Sequence, residues 1–329
     1  MHDYKKIISI GIVLSSGGHH AVAHHAGVLD GLHKATGWDP RNANILVGTS
    51  AGSFTAITLR AGLSAPDLAS YYLGEKISAE GRAITDRVTT NIQVPDNNLQ
   101  PRNCRPAKLK LLVRELLTSG QPRPMTALAG ILPLGKVDGS SISERAEQIH
   151  PQPWPSKPTW ICAVNLDNGH RTVFGKDDVE TNIGSAVQAS TAIPGYFTPV
   201  QIGNNRYVDG GIHSTTNADL LAPLQLDLVI ISSSKTASPG LGEAVEFSLS
   251  RTWHSRTLQR EIKKITTQDT KVLTFQPTSS DLVRRDSSDM DETNTKEICA
   301  DARDSAIARL AHPNAEEIRQ LLNQSVIRS

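Results

Sequence analysis

The chain has 329 residues, 38% of them hydrophobic, with 34 Lys and Arg against 33 Asp and Glu. That apolar fraction suffices for a sizeable core and excludes disordered and fibrous classes, while a net charge of +1, with no basic cluster, argues against a nucleic-acid partner. Cys104, Cys162 and Cys299 are odd in number, far apart and form no Cys-x-x-Cys pair, so neither a disulfide framework nor a zinc site is expected and a reducing, cytoplasmic compartment fits.

Lys5-Lys6, the run Ile7 to Leu14 and Ala21-Val22-Ala23 together imitate a signal peptide. Cleavage after Ala23 would remove a β-branched run and a glycine turn that both have a use in the fold, and that reading is set aside. No segment reaches the ~18 apolar residues of a membrane span, so contact with lipid is expected to be peripheral.

Ile7 to Leu14 reads as a central first strand ending in the turn Ser15-Ser16-Gly17-Gly18. A helical face of Val22, Ala26, Leu29 and Leu32 follows over Ala21 to Lys34, closed by Gly37. At the start of that helix, His20 and His24 would share a face, but no Glu lies between them and no third ligand follows, so no metal is expected.

Next comes the stretch that organises the chain, an apolar run from Asn44 to Val47 that breaks into Gly48-Thr49-Ser50-Ala51-Gly52 and continues as an Ala-rich helix before Gly62. Gly-x-Ser-x-Gly alone is a weak signal, because glycine and serine are common; the strand before it and the helix after it give it content. Such a turn holds a serine in a strained conformation with Oγ projecting above the sheet edge, and its glycines supply the room. The helix after it points unpaired N–H groups at the charge that forms when Oγ attacks a carbonyl. A right-handed βαβ unit puts the Gly17-Gly18 turn and Ser50 on the same edge of a parallel sheet. The N–H groups of Gly17 and Gly18 are therefore candidates for an oxyanion hole.

Residues 75 to 150 read as a cap-like insertion, with an amphipathic helix at Ala107 to Leu117 and an apolar Leu128 to Leu134 that could wall an acyl-chain pocket. Trp160 to Leu166 is a third strand, Arg171 to Phe174 a fourth joined to it by a turn, and Ile183 to Ser190 a small-residue helix. Then Arg206-Tyr207-Val208-Asp209-Gly210-Gly211 places an aspartate at a strand end before two glycines, where a turn can hold it at the sheet edge. Further on come a helix from Ala218, a strand at Leu226 to Ile231, an amphipathic helix at Ala244 to Lys264 and a strand at Lys271 to Phe275. The acidic stretch Pro277 to Lys296 reads as a loop, and helices at Ile298 to Leu310 and Glu316 to Val326 form a C-terminal extension from about residue 296.

A Ser-His-Asp hydrolase expects its serine after several strands and a histidine late in the chain; here Ser50 follows two strands, and Asp209 points to a two-residue machine. Four blocks then resemble the patatin-like phospholipase family of lipid acyl hydrolases. They are Leu14 to Gly18 with His25-Ala26-Gly27-Val28-Leu29, Gly48 to Gly52, Ala189 to Val200, and Val208-Asp209-Gly210-Gly211. The resemblance implies one domain over 1–329, a three-layer α/β/α fold with a mainly parallel central sheet, and a Ser-Asp dyad. In it Ser50 would be the nucleophile and Asp209 the base, acting without cofactor on a lipid or acyl-ester substrate. One block departs from the family, which has three glycines, then Arg or Lys and a further glycine. Gly17-Gly18-His19-His20-Ala21-Val22 lacks the cation and two of those glycines. An acyltransferase using Ser50 and a lipid-binding protein that has lost catalysis are the alternatives.

Overall fold

The structure is a computed structural model describing residues 8–90, 135–237, 249–278, 281–282 and 294–326. β1 (Ile10–Leu14) leads into α1 (Gly18–Thr36), and β2 (Ile45–Thr49) into α2 (Ala51–Arg60), followed by α3 (Ala65–Leu73) and α4 (Ala79–Thr85). Then come α5 (Ser140–Ile149), β3 (Thr159–Asn165), β4 (Arg171–Phe174), α6 (Ile183–Thr191), β5 (Val200–Ile202) and β6 (Asn205–Asp209). A 3₁₀ helix at Ala218–Leu224 precedes β7 (Leu228–Ser232), α7 (Leu249–Thr266), β8 (Lys271–Phe275), α8 (Thr295–Ala311) and α9 (Glu316–Val326).

The eight strands among the described residues form one sheet, with β1 at its centre between β2 and β7 and parallel to both. β8 continues it in parallel beyond β7, and β3 runs parallel to β2. β4 and β6 pair antiparallel with β3, and β5 antiparallel with β6. Alternation along the strands then sorts the core into two faces. Ile10, Ile12, Leu14, Leu46, Leu228 and Ile230 meet α1, α2, α3 and α8 on one side, where α5 and α6 extend the layer under β3 and β4. Val13, Ile45, Val47, Val229 and Ile231 meet the 3₁₀ helix and α7 on the other. The result is the expected three-layer α/β/α sandwich with a mostly parallel sheet.

Several details differ from the sequence expectations. α1 starts at Gly18 rather than Ala21, because the positive φ of Gly17 (143°) and Gly18 (60°) turns the chain into the helix without an intervening loop. The segment from Ala218 is a 3₁₀ helix containing Pro223, whose ring and missing N–H oppose a continuous α-helix. Ser140–Ile149, within the range expected to form a cap, is a helix that buries Ile142, Ala146 and Ile149 beside α6. The expected helix at 107–117, the apolar run at 128–134 and most of the acidic stretch at 277–296 lie outside the described residues. No described helix is long and apolar enough to cross a membrane.

α1 and α8 cross closely because both faces carry small residues. A Cβ on Gly27 would lie 2.1 Å from the Cys299 carbonyl oxygen, and one on Gly31 would lie 2.5 Å from that of Arg303. Ala302 and Ala306 fill the rest of the seam, and both are buried. Gly31→Val should therefore force the helices apart and cost about 1–3 kcal/mol. The urea midpoint checks this, against Gly37→Ala, whose added Cβ would meet nothing within 4 Å and which should lose only the cost of a left-handed backbone, about 1–2 kcal/mol.

Candidate active site

Strand register places the two chemical side chains. β4 bonds Ile161 through Val164 of β3 on one edge, so β2 and β6, whose partners overlap that span, must share the other. They approach from opposite ends: β2 finishes with Thr49 opposite Cys162, and β6 with Asp209 opposite Ala163. Ser50 and Asp209, about 160 residues apart in the chain, are thus delivered to adjacent positions, close enough for the Ser50 hydroxyl to hold the pKa of the Asp209 carboxyl down.

Ser50 has φ 53° and ψ −120°, a conformation rare for a residue with a side chain. It stands at the N-cap of α2, where a serine ordinarily caps its own helix, yet its side chain makes no capping bond. The hydroxyl is left for Asp209. The turn is held by the Ser50 carbonyl, which accepts from the Ser53 N–H at 2.8 Å and the Ser53 hydroxyl at 2.6 Å. Gly48 and Gly52 are required by space. A Cβ on Gly48 would lie 2.6 Å from Ser53 Cα, and one on Gly52 would lie 2.0 Å from the Leu14 carbonyl oxygen. Ala51 opens the helix, and buried Thr49 accepts from Asn217 Nδ2 at 3.1 Å.

Asp209 is 6% exposed, as is Ser50. Burial pushes its carboxyl up to about 6, against the Ser50 and Gly211 hydrogen bonds and the charge of Lys235, which hold it down. The Gly211 N–H donates to Oδ1 at 2.7 Å, and the Asp209 N–H to the Ala192 carbonyl at 2.9 Å. Gly210 passes so close to β3 that a Cβ would lie 2.3 Å from the Cys162 carbonyl oxygen.

The glycine loop lies alongside. A Cβ on Gly211 would sit 3.0 Å from both Asp209 Oδ1 and Ser16 Oγ. Gly17 is the N-cap of α1 and offers no capping side chain, so no side chain there competes for the N–H groups of the first turn. Because Leu14 and Gly48 are register neighbours, α1 and α2 emerge side by side with their positive ends at the same sheet edge. His25 anchors the loop from below, its ring nitrogens bonded to the Ser232 hydroxyl at 2.7 Å and the Ser15 carbonyl at 2.9 Å.

Other supporting residues escape sequence reasoning. The Ser190 hydroxyl accepts from the Ser50 N–H at 2.8 Å and donates to the Cys162 carbonyl at 2.6 Å. Asn217, with φ 54°, also accepts from Arg171. Behind it, buried Glu261 accepts from the Thr216 hydroxyl and the Ala218 N–H, and burial with nearby Asp219 pushes it up to about 7. The small-residue run around Ser190 was visible in the sequence; nothing there marked Lys235, Asn217 or Glu261.

The model of the patatin-like phospholipase family matches residues 12–222, a span that runs from within β1 to within the 3₁₀ helix and holds both Ser50 and Asp209. The chain belongs to that family, and is a lipid hydrolase of its class. No curated protein matches it. Among solved structures it is similar to VipD from Legionella pneumophila, at 13% identity and a TM-score of 0.43, covering 97% of this chain and 67% of that one. It is also similar to the type III effector protein ExoU, at 16% identity and a TM-score of 0.35, covering 98% of this chain and 54% of that one. The chain thus spans about half the length of ExoU.

Ser190→Ala should leave a buried N–H and a buried carbonyl unpaired and cost about 1–3 kcal/mol. The denaturant midpoint reads that loss; turnover should fall as well, because the same hydroxyl holds the backbone of Ser50.

Proposed function

We propose that the protein is a serine acyl hydrolase, a phospholipase A or lipid carboxyl esterase, working through Ser50 and Asp209 as a single α/β unit. The observation that carries this reading is the register that brings a strained, uncapped Ser50 beside the buried Asp209 carboxyl, whose pKa its hydroxyl holds down. Asp209 takes the Oγ proton as Ser50 attacks the ester carbonyl. The N–H groups of Gly17 and Gly18 hold the oxyanion, supported by the positive end of α1. Collapse expels the alcohol, which takes its proton from Asp209, and leaves an acyl-Ser50 ester. Water, deprotonated by Asp209, then attacks the acyl ester, and collapse breaks the acyl–Oγ bond, returns that proton from Asp209 to Ser50 Oγ and releases the fatty acid. Burial raises the basicity of Asp209 above that of a free carboxylate near ~4, which suits a proton acceptor at neutral pH. No step requires a metal or cofactor, and contact with lipid is peripheral.

Ser50→Ala and Asp209→Asn should each lower kcat by about a thousandfold or more on a chromogenic fatty-acyl ester, while both variants keep the circular dichroism of the parent. Undiminished hydrolysis in either would exclude the dyad. For the parent protein, kcat/KM should fall below about pH 6, where Asp209 becomes protonated, and stopped-time assays across pH read that limb. Added alcohol or lysolipid should not accelerate turnover, as it would for an acyltransferase. A protein that only bound lipid would leave Ser50 unlabelled by a fluorophosphonate.

A further inference from the structure

The chain leaving β7 carries Lys235 to the side of the glycine loop. A Cβ on Gly17 would lie 2.4 Å from Ser234 Oγ and 3.5 Å from Lys235 Cε. Ser234 fixes this approach: its hydroxyl donates to the Ser16 carbonyl at 3.1 Å, and its N–H to Ser15 Oγ at 3.1 Å. Arg251 of α7 clamps the other side, with Nη1 donating to the carbonyls of Ser234 and Thr236 at 3.0 Å each. Those two carbonyls flank Lys235 in the chain. Its stem is therefore held against Gly17, while its ammonium interacts electrostatically with Asp209.

That position is informative because the proposed chemistry moves a charge. When Ser50 passes its proton to Asp209, the carboxylate becomes neutral and the substrate carbonyl oxygen becomes anionic. A cation beside the carboxylate alone would oppose the transfer, since it would lose its counter-charge in the transition state. A cation beside both the carboxylate and the oxyanion donors keeps a counter-charge throughout. We propose that Lys235 is a positioning residue for the reaction, acting through Asp209 and Gly17 so that positive charge faces the carboxylate before proton transfer and the oxyanion after it. The proposal rests on the Ser50 and Asp209 reading.

Among the described residues, the charged and titratable groups that act on Lys235 or respond to it are Asp209 at the end of β6 and Arg251 and His254 on α7. Burial and Arg251 bring the ammonium down to about 8, with Asp209 pulling the other way. Burial and the two cations bring His254 down to about 4, so its ring is neutral wherever Asp209 is ionised. Activity should then have two limbs, an acid one from Asp209 and an alkaline one from Lys235.

The test uses p-nitrophenyl butyrate, a neutral ester without a headgroup, and follows kcat and KM across pH for the parent, Lys235→Met and Lys235→Arg, with thermal melting as a folding control. For Lys235→Met, kcat should fall about ten- to fiftyfold with KM nearly unchanged, the Coulomb effect of one nearby charge at a partly screened site. Its acid limb should move up by about one pH unit, because Asp209 without the cation ionises less readily, and its alkaline limb should vanish. Lys235→Arg should keep most of the parent kcat and also lack the alkaline limb, since a guanidinium does not titrate there. Parent-like kcat and acid limb in Lys235→Met, or an arginine variant as impaired as the methionine one, would overturn the proposal by showing that the stem and not the charge matters. Should Lys235→Met fail to fold, the arginine variant decides alone: an alkaline limb that persists near pH 8 overturns the assignment, and its loss with activity retained supports it. Parent-like hydrolysis by Ser50→Ala would remove the dyad and this inference together, whereas an inactive Ser50→Ala with an unaffected Lys235→Met removes only the latter.

Discussion

Everything at the site depends on two strands that run toward each other along one edge of β3 and stop before they collide. With β2 ending opposite Cys162 and β6 opposite Ala163, neither can advance, and both must leave the sheet where they meet. The serine turns away with a positive φ; the aspartate turns away into Gly210, which only a residue without a Cβ could occupy against the Cys162 carbonyl. At such a break, ladder groups lose their partners, and a buried N–H or C=O cannot be left unpaired without cost. The Ser190 hydroxyl resolves this by standing between the Ser50 N–H and the Cys162 carbonyl. An interruption of regular pairing thereby becomes a fixed meeting point for a hydroxyl and a carboxyl.

The same enclosure sets the electrostatics. Water is largely excluded from Ser50 and Asp209, and for that reason the carboxyl rises to about 6 although two hydrogen bonds and a cation oppose the shift. Desolvation outweighs them here. Two uncapped helix ends open at the same edge, and the dipole of each favours negative charge there. The first turns of α1 and α2 thus forgo the stability that side-chain caps bring, typically about 1 kcal/mol each. By contrast α3, α4 and α6, away from this edge, are capped by Ser64, Ser78 and Asn182.

How much of this could be read from the sequence follows from the range of each interaction. Gly48 to Gly52 and Asp209 to Gly211 were legible because strand, turn and helix signals sit within a few residues of the chemical group. β1, β2, β7 and β8 were legible because buried parallel strands are dense apolar runs. α4 and α5 were not, because short helices with few apolar residues, such as Ser140–Ile149, carry little periodic signal and gain stability from what they pack on. The start of α1 does not show in the sequence because two glycines read as a loop, whereas their left-handed backbone makes the sharp entry into the helix. Lys235 and Arg251 could not have been found: what gives them meaning is the distance from Lys235 to Gly17, more than 200 residues away in sequence, and no local pattern encodes it.

The seam between α1 and α8 shows where the unit of likeness and the unit of folding part company. The matched family span ends at residue 222, yet β7, which lies beyond it, bonds one whole side of the central strand β1. The helix that fits over Gly27 and Gly31 lies further on still. A fragment cut at 222 would hold both chemical side chains and still expose an unpaired edge on β1 and a groove along α1. During synthesis on the ribosome, the nucleophile's turn emerges early, but its scaffold closes only after residue 311 has been added. That flank therefore stays open until those residues have been added, a period in which the exposed edge and groove are open to non-native contacts.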